Sequence, residues 1–265
     1  MIEFHAVDKI FSTVDGEPVP ALNDVTLTIP RNQFLSVVGP SGCGKSTLLR
    51  LIAGLLSPTQ GNVSIEGELV NGPRPDLGFV FQAPTLLPWS SVLDNVLFPL
   101  RLMRRITPES VNAAKEFLGL VGLADFEQRY PAELSGGMQQ RVAICRALLH
   151  HPSVLLMDEP FGALDALTRE EIALELLRIW EAQPKTVVFV THSISEAVLL
   201  SDRVIVMTPR PGRVLADIGV RLARPRTFDL DRDPEFQRCT HAIRDLIFGV
   251  RPTSGTGEKA WVTSG

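Results

Sequence analysis

Phe34-Leu35-Ser36-Val37-Val38-Gly39-Pro40-Ser41-Gly42-Cys43-Gly44-Lys45-Ser46-Thr47-Leu48-Leu49 decides the fold. Gly39 to Ser46 fits the pattern G-x-x-x-x-G-K-[ST], in which glycines let backbone N–H groups converge on phosphate oxygens. The dense apolar run Phe34–Val38 in front of it predicts a central parallel strand buried on both faces. A helix is expected from about Lys45, with Leu48, Leu49, Ile52 and Leu55 on one stripe. Strand, glycine loop and helix N-terminus in this order form an anion cradle with a helix dipole behind it. In such a loop Lys45 reaches the β- and γ-phosphates of a nucleotide, and the Ser46 hydroxyl binds Mg²⁺. The nucleotide-binding stretch is therefore Gly39, Pro40, Ser41, Gly42, Cys43, Gly44, Lys45, Ser46 and Thr47.

Two further segments fit that reading. Val154-Leu155-Leu156-Met157-Asp158-Glu159 is an apolar strand ending in two carboxylates, and a carboxylate at a strand end holds Mg²⁺ in phosphate-loop enzymes. Leu134-Ser135-Gly136-Gly137-Met138-Gln139-Gln140-Arg141 places a serine N-cap and two glycines at the start of a helix, which exposes amide groups to an anion. Gly137 inside the first turn costs about 1 kcal/mol relative to alanine, and close approach of a phosphate would justify that cost.

Outward from these motifs, Ile2, Phe4 and Ala6 alternate with polar residues, as do Val25, Leu27 and Ile29. Both stretches read as half-buried strands. Val63–Ile65 and Leu69-Val70 suggest short strands around Gly67. From Gln82 to His151 helical spacing takes over. Thr107-Pro108-Glu109 reads as an N-cap with proline at the first helical position, and Val111, Ala114, Phe117, Leu118 and Val121 follow. Strand character returns at residues 154–157, 186–190 and 204–207. A helix is expected between the first two, near residues 166–182; Thr168–Glu171 fits a capping box, and Ser193–Glu196 reads as a second. Strands alternating with helices give an α/β fold with a parallel sheet.

The chain has 265 residues, 45% hydrophobic and 21% charged, enough for one large globular domain or two small ones. Its net charge of −4 gives no basic excess, so nucleic acid is not an expected partner. The densest basic cluster, Arg101 to Arg105, reads as a solvated helix face. Three cysteines without a C-x-x-C pair fit a reducing cytosol and make zinc a poor reading. Met1–His5 lacks a signal peptide's basic region, and no apolar run reaches the ~20 residues of a membrane helix. The expectation is a soluble chain whose membrane role, if any, comes through a partner.

The Leu-Ser-Gly-Gly-x-Gln stretch together with the two phosphate motifs resembles the ATP-binding cassette (ABC) ATPases, over about residues 2–225. The resemblance implies a P-loop NTPase fold with a RecA-like parallel sheet, an N-terminal antiparallel β subdomain and a helical insertion. The implied division is an ATPase domain over 1–225, with a helical subdomain at about 83–151. Residues 226–265 then form a C-terminal helix and a frayed polar tail from Arg251. It implies ATP and Mg²⁺ as cofactors, with Ser46, Gln82 and Asp158 on the metal. Glu159 becomes the general base, His192 the switch histidine at the γ-phosphate and Gln82 the glutamine that reports to a transmembrane partner. Phe11 matches the aromatic that stacks on adenine. Ser135, Gly136, Gly137 and Gln139 match the signature that acts in trans on a second subunit's nucleotide, and Asp165 in Gly162–Asp165 matches the D-loop. Three departures from the family pattern, Asn32-Gln33, Cys145 and Ser193, read as tolerated variation.

Within that family, Leu86-Leu87-Pro88-Trp89, Tyr130-Pro131 and Arg224-Pro225-Arg226 resemble the ATPase subunits of bacterial nitrate, sulfonate and taurine uptake systems. The implied partners are a second ATPase subunit, transmembrane permease subunits and a periplasmic or lipid-anchored substrate-binding protein. The implied place is the cytoplasmic side of the cell membrane. A soluble non-transport ABC ATPase and an exporter ATPase are the alternatives. Two expectations concern particular side chains. Leu86, Leu87 and Trp89 should form an apolar patch that receives the permease. Cys43, in the phosphate loop, should make the enzyme thiol-sensitive.

Overall fold

The computed structural model describes residues 1–12, 16–227, 230 and 232–249. Its centre is β3 (Phe34–Val38), all five residues of which are buried. β8 (Thr186–Val190) and β9 (Arg203–Met207) flank it in parallel, so that Ser36 lies between Phe189 and Val204. β7 (Val154–Asp158) and β6 (Leu77–Val80) extend the parallel sheet on one side, and β10 (Val214–Gly219) closes the other edge antiparallel to β9. β3, β7 and β8 are buried along their whole length, as near-continuous Val, Leu and Phe runs require when helices cover both faces.

A second sheet is antiparallel and stands N-terminal. β1 (Ile2–Ser12) lies between β2 (Pro18–Ile29) and β4 (Gln60–Ile65), with the two-residue β5 (Glu68–Leu69) at the edge. The strands are longer than the alternation showed, and the alternation breaks at one place. Ala6 takes a φ of 45°, the register slips between Phe4 and Val7, and Val7 rather than Ala6 turns inward. An inserted bulge residue shifts every later side chain to the other face. Residues of both sheets and of α1 (Lys45–Ile52) share one core, with Phe4, Val25, Leu35, Leu48 and Val188 fully or almost fully buried. Leu55 is not part of that stripe: α1 ends at Ile52, Gly54 turns with a φ of 68°, and Leu55 is exposed.

Between β6 and β7 the chain forms α2 (Val92–Leu102), α3 (Pro108–Leu120) and α4 (Gly136–Leu148). Val96, Leu100, Ala114, Leu118, Val142 and Cys145 pack together there and continue into the sheet through Phe34, Met157 and Phe189. Cys145 fills this core, and burial pushes its thiol up to about 12. Thr107 caps α3 with Pro108 behind it, and Ser110 completes the box. Arg101 pairs with Asp94 on the exposed face of α2.

α5 (Ala166–Ala182) has the bounds expected of it, but Thr168 is not its cap. Asp165 is its N-cap and accepts from the Thr168 N–H at 3.0 Å. The box at Ser193 is half formed: Ser193 caps α6 (Ile194–Leu200), but the Glu196 carboxylate turns to Thr191 instead of returning to the cap N–H. A helix C-terminal to β10, α7 (Pro234–Gly249), lays Phe236, Cys239 and Ile243 against α6 and β9. The Arg-Pro-Arg stretch is structural. Arg226, 5% exposed, donates to the carbonyls of Val198, Leu199, Ser201 and Leu222, and its desolvation brings its pKa down to about 10. Arg224 binds Asp202 and stacks over the Trp180 ring. The tail from Arg251 lies outside the described residues. No helix among the described residues is long and apolar enough to cross a membrane.

Candidate active site

β3 ends where the Gly39–Thr47 loop begins, and α1 starts at Lys45, so the loop wraps the helix N-terminus. Gly44 makes the turn with a φ of 101°, and a Cβ there would lie 2.6 Å from Leu22 Cδ2 and 2.9 Å from the Ala21 carbonyl oxygen. Only glycine fits both the backbone angle and the space. The N–H groups of Gly44, Ser46 and Thr47 have no acceptor among the described residues, and that of Lys45 has only the weak Cys43 sulfur. Free and weakly held donors converging at a helix N-terminus make a cradle suited to an anion. Lys45 folds back over the loop, with Nζ 2.8 Å from the Gly39 carbonyl and 3.0 Å from that of Pro40.

Cys43 departs from its expectation. Its side chain is fully buried in the core under the loop, and only its backbone lines the cradle. Burial pushes the thiol up, against the pull of Lys45. A helix N-terminus and a lysine 3.8 Å away do not make a reactive thiolate when desolvation of the sulfur outweighs them.

Neighbouring strand ends bring the carboxylates up to the loop. Ser46 Oγ donates to Asp158 Oδ1 at 2.9 Å across the β3–β7 gap. Asp158 is 3% exposed and has no ion-pair partner among the described residues; burial pushes its carboxyl up, partly opposed by the Ser46 hydrogen bond. The next residue, Glu159, adopts a φ of 47° and anchors its N–H to the Val190 carbonyl at 2.9 Å. That turn aims its side chain at two others. Gln82 Nε2 donates to Glu159 Oε2 at 3.3 Å, and His192 Nδ1 stands 3.5 Å from the same oxygen. Gln82, Glu159 and His192, read from three separate segments, thus meet on one carboxylate at the C-terminal ends of β6, β7 and β8. Among the described residues no three His, Cys, Asp or Glu side chains form a metal cage. Mg²⁺ that keeps water and phosphate ligands needs only one or two carboxylates.

Phe11 lies half exposed on β1 opposite Val19, with the Lys9 ammonium 5.2 Å above its ring. Ser135 caps α4 by accepting from the Met138 N–H at 3.2 Å, and Ser135 and Gly136 are exposed. Two signature residues have work inside their own chain. A Cβ on Gly137 would lie 3.2 Å from Leu164 Cδ2, so this glycine is explained by packing against the Gly162–Asp165 turn as well as by any phosphate. Gln139 donates to the carbonyls of Pro131 and Leu134, which ties down its own loop. Asp165 is likewise committed as the α5 cap, and the Thr168 backbone N–H holds its carboxyl below the usual range.

Sequence reasoning passed over two supports. Gln140, fully buried, donates to the Phe81 carbonyl at 3.1 Å and so ties the signature helix to the residue before Gln82. Gly212, between β9 and β10, lies directly beneath the phosphate loop: a Cβ there would stand 1.9 Å from the Cys43 carbonyl oxygen. The first carried a signal in its polarity within an apolar helix face; the second carried none.

The model of the ABC transporter family matches residues 22–162, a span that holds the phosphate loop, the signature and the two carboxylates. The chain belongs to the ABC transporter family. It is an ATP-binding, ATP-hydrolysing cassette with a P-loop NTPase fold. It is 47% identical to the taurine import ATP-binding protein TauB of Pelagibacter ubique, covering 92% of this chain and 94% of that one. It is 42% identical to the nitrate import ATP-binding protein NrtD of Synechocystis sp., covering 94% and 95%. Among solved structures, the dimeric post-hydrolysis state of the cassette MJ0796 bound to ADP and Pi superposes with a TM-score of 0.76. That match is at 37% identity and covers 84% of this cassette and all of that chain.

Proposed function

We propose that this ABC ATPase powers a bacterial importer for a small anion such as nitrate, a sulfonate or taurine. It works as one of a pair of ATPase subunits on the cytoplasmic side of the cell membrane, under a permease fed by a substrate-binding protein. The observation that carries the reading is the meeting of Gln82 and His192 on Glu159, beside a cradle of free amides. The names and near full-length coverage of the taurine and nitrate import relatives support the cargo class.

Mg²⁺ fits the site: Asp158 is a buried carboxylate without a cation, already joined to the Ser46 hydroxyl, and Gln82 stands nearby across Glu159. When bound, Mg²⁺ would neutralise charge on the β- and γ-phosphate oxygens. The amides of Gly44–Thr47 and the Lys45 ammonium bind and orient the phosphates, once Lys45 leaves the Gly39 and Pro40 carbonyls. Glu159 takes a proton from the attacking water, and His192 donates toward the γ-phosphate as charge develops. Ser135 and Gly136, exposed at the head of α4, cover the γ-phosphate held by the other subunit. Phe11 stacks on the adenine. Residues 83–151 act as a helical subdomain within the ATPase domain of residues 1–225.

The permease contact is proposed at the loop that follows Gln82. Trp89 is 74% exposed, as docking requires, whereas Leu86 packs partly against the helical core and Leu87 has its backbone clamped by Asn95. A groove of about 430 Å³ lined by Leu77, Phe79, Pro99, Leu102 and Arg146 is joined to that loop by Arg146, which donates to the Pro84 and Thr85 carbonyls. A cytoplasmic helix of the permease is the proposed occupant. The test is Trp89→Ser in the complete transporter reconstituted in vesicles. Uptake should fall several-fold while hydrolysis by the isolated subunit stays at the wild-type rate. Unchanged coupled uptake would move the contact elsewhere.

A further inference from the structure

A chain of polar contacts runs from the switch loop to the Gly162–Asp165 turn. Thr191, beside His192, is 2% exposed; its Oγ1 donates to Glu196 Oε2 at 2.6 Å and accepts from the Ser193 N–H at 3.0 Å. Glu196 therefore holds the loop that carries His192. Arg169, one turn into α5, donates from Nη2 to the Leu164 carbonyl at 3.2 Å, and Leu164 belongs to the turn. Its Nε is buried, has no hydrogen-bond partner, and stands 3.7 Å from Glu196 Oε1. A buried Nε donor left unmatched beside a partly buried carboxylate is a contact waiting to close. Less than about 1 Å separates it from ordinary hydrogen-bond distance.

We propose that Arg169 and Glu196 are positioning residues that couple displacement of the Gly162–Asp165 turn to the placement of His192. Gly162 and Ala163 are exposed, so a second subunit can press on the turn directly. Pressing it moves Leu164 and with it the Arg169 fork. The Nε–Glu196 hydrogen bond then forms, and Glu196 draws on Thr191 and so on His192. Neither residue touches the nucleotide. The proposal rests on His192 acting at the phosphate.

The test uses full-length Arg169→Met, Arg169→Lys, Glu196→Gln, the Arg169→Met/Glu196→Gln double and His192→Ala, each assayed for ATP hydrolysis and for melting temperature. Arg169→Met and Glu196→Gln should each lower kcat about tenfold with KM for ATP within about twofold, because the phosphate cradle is untouched. The double variant should be no slower than the worse single, the mark of residues acting as one unit. Arg169→Lys keeps the charge but not the two-nitrogen fork, and should recover only part of kcat. Wild-type kcat per folded molecule in Arg169→Met and Glu196→Gln, with only the melting temperature lowered, would show a merely structural pair and overturn the proposal. Multiplicative losses in the double would overturn the coupling. If His192→Ala kept full kcat, the role of His192 would fall, and the proposal with it; if His192→Ala alone lost activity, only the proposal would fall.

Discussion

Gly212→Ala is the sharpest perturbation of the phosphate loop, and it lies far from that loop in sequence. The added Cβ would stand 1.9 Å from the Cys43 carbonyl oxygen and 2.8 Å from Met207 Cε, where ordinary contact begins at 3.4 Å. Gly212 cannot retreat, because its N–H donates to the Ala21 carbonyl at 2.9 Å and its carbonyl accepts from the Asn23 N–H at 3.0 Å. The loop must therefore move by about 1.5 Å, the shortfall from contact. Overpacking of this kind costs about 1–3 kcal/mol, or a melting temperature lower by about 2–10 °C for a chain of this size. A reacting group misplaced by about 1 Å can lose about a hundredfold in rate, so kcat/KM should fall on that order while the sheet stays intact. The assay pairs thermal melting with titration of a fluorescent ATP analogue and steady-state hydrolysis. Gly219→Ala is the control, since a Cβ on that glycine meets nothing within 4 Å. A Gly212→Ala protein that melts, binds and turns over like wild type would refute the close approach beneath Cys43.

Two further outcomes follow from the site. Glu159→Gln should leave stability within about 1 kcal/mol, since it forfeits only one long, partly exposed hydrogen bond to Gln82. It should slow turnover by about 10²–10⁴ through loss of the base; hydrolysis within threefold of wild type would remove Glu159 from that role. Cys43 should resist maleimide in the native protein and react only after unfolding, because its sulfur is fully buried and its pKa is raised by burial. Mass spectrometry showing fast native labelling at Cys43 would contradict the described packing.

What the sequence showed and what it hid follow from the range of the interactions. Gly39–Thr47, Asp158 and Glu159 were legible because each couples a motif to its own strand. Gln82 and His192 came from the family resemblance, and the structure brings both to Glu159. Which residue caps α5 was not legible, since Asp165 and Thr168 both offer cap chemistry, and the local backbone alone chooses Asp165. The bulge at Ala6 was hidden because alanine fits either face. Cys43 misled because motif spacing fixes the path of a backbone but not which way each side chain turns from it. Gln139 and Gln140 look alike in sequence, yet one ties down its own loop and the other supports Phe81. Gly212 was invisible, because its reason to be glycine is a carbonyl adjacent in space but far away in sequence, in the loop after β3.

The central claim is that one nucleotide is worked on by two copies of the chain, Lys45 and Glu159 from one and Ser135 from the other. A mixing experiment tests it most directly. Lys45→Ala destroys the cradle and leaves the signature; Ser135→Arg blocks the exposed signature and leaves the cradle. Each variant alone should be inactive. Mixed in equal amounts and allowed to exchange, they form mixed pairs with one intact site, and a two-fold pair with independent sites should recover up to about a quarter of the wild-type rate. A mixture as inactive as its components, or Ser135→Arg hydrolysing ATP at full rate alone, would contradict the composite site.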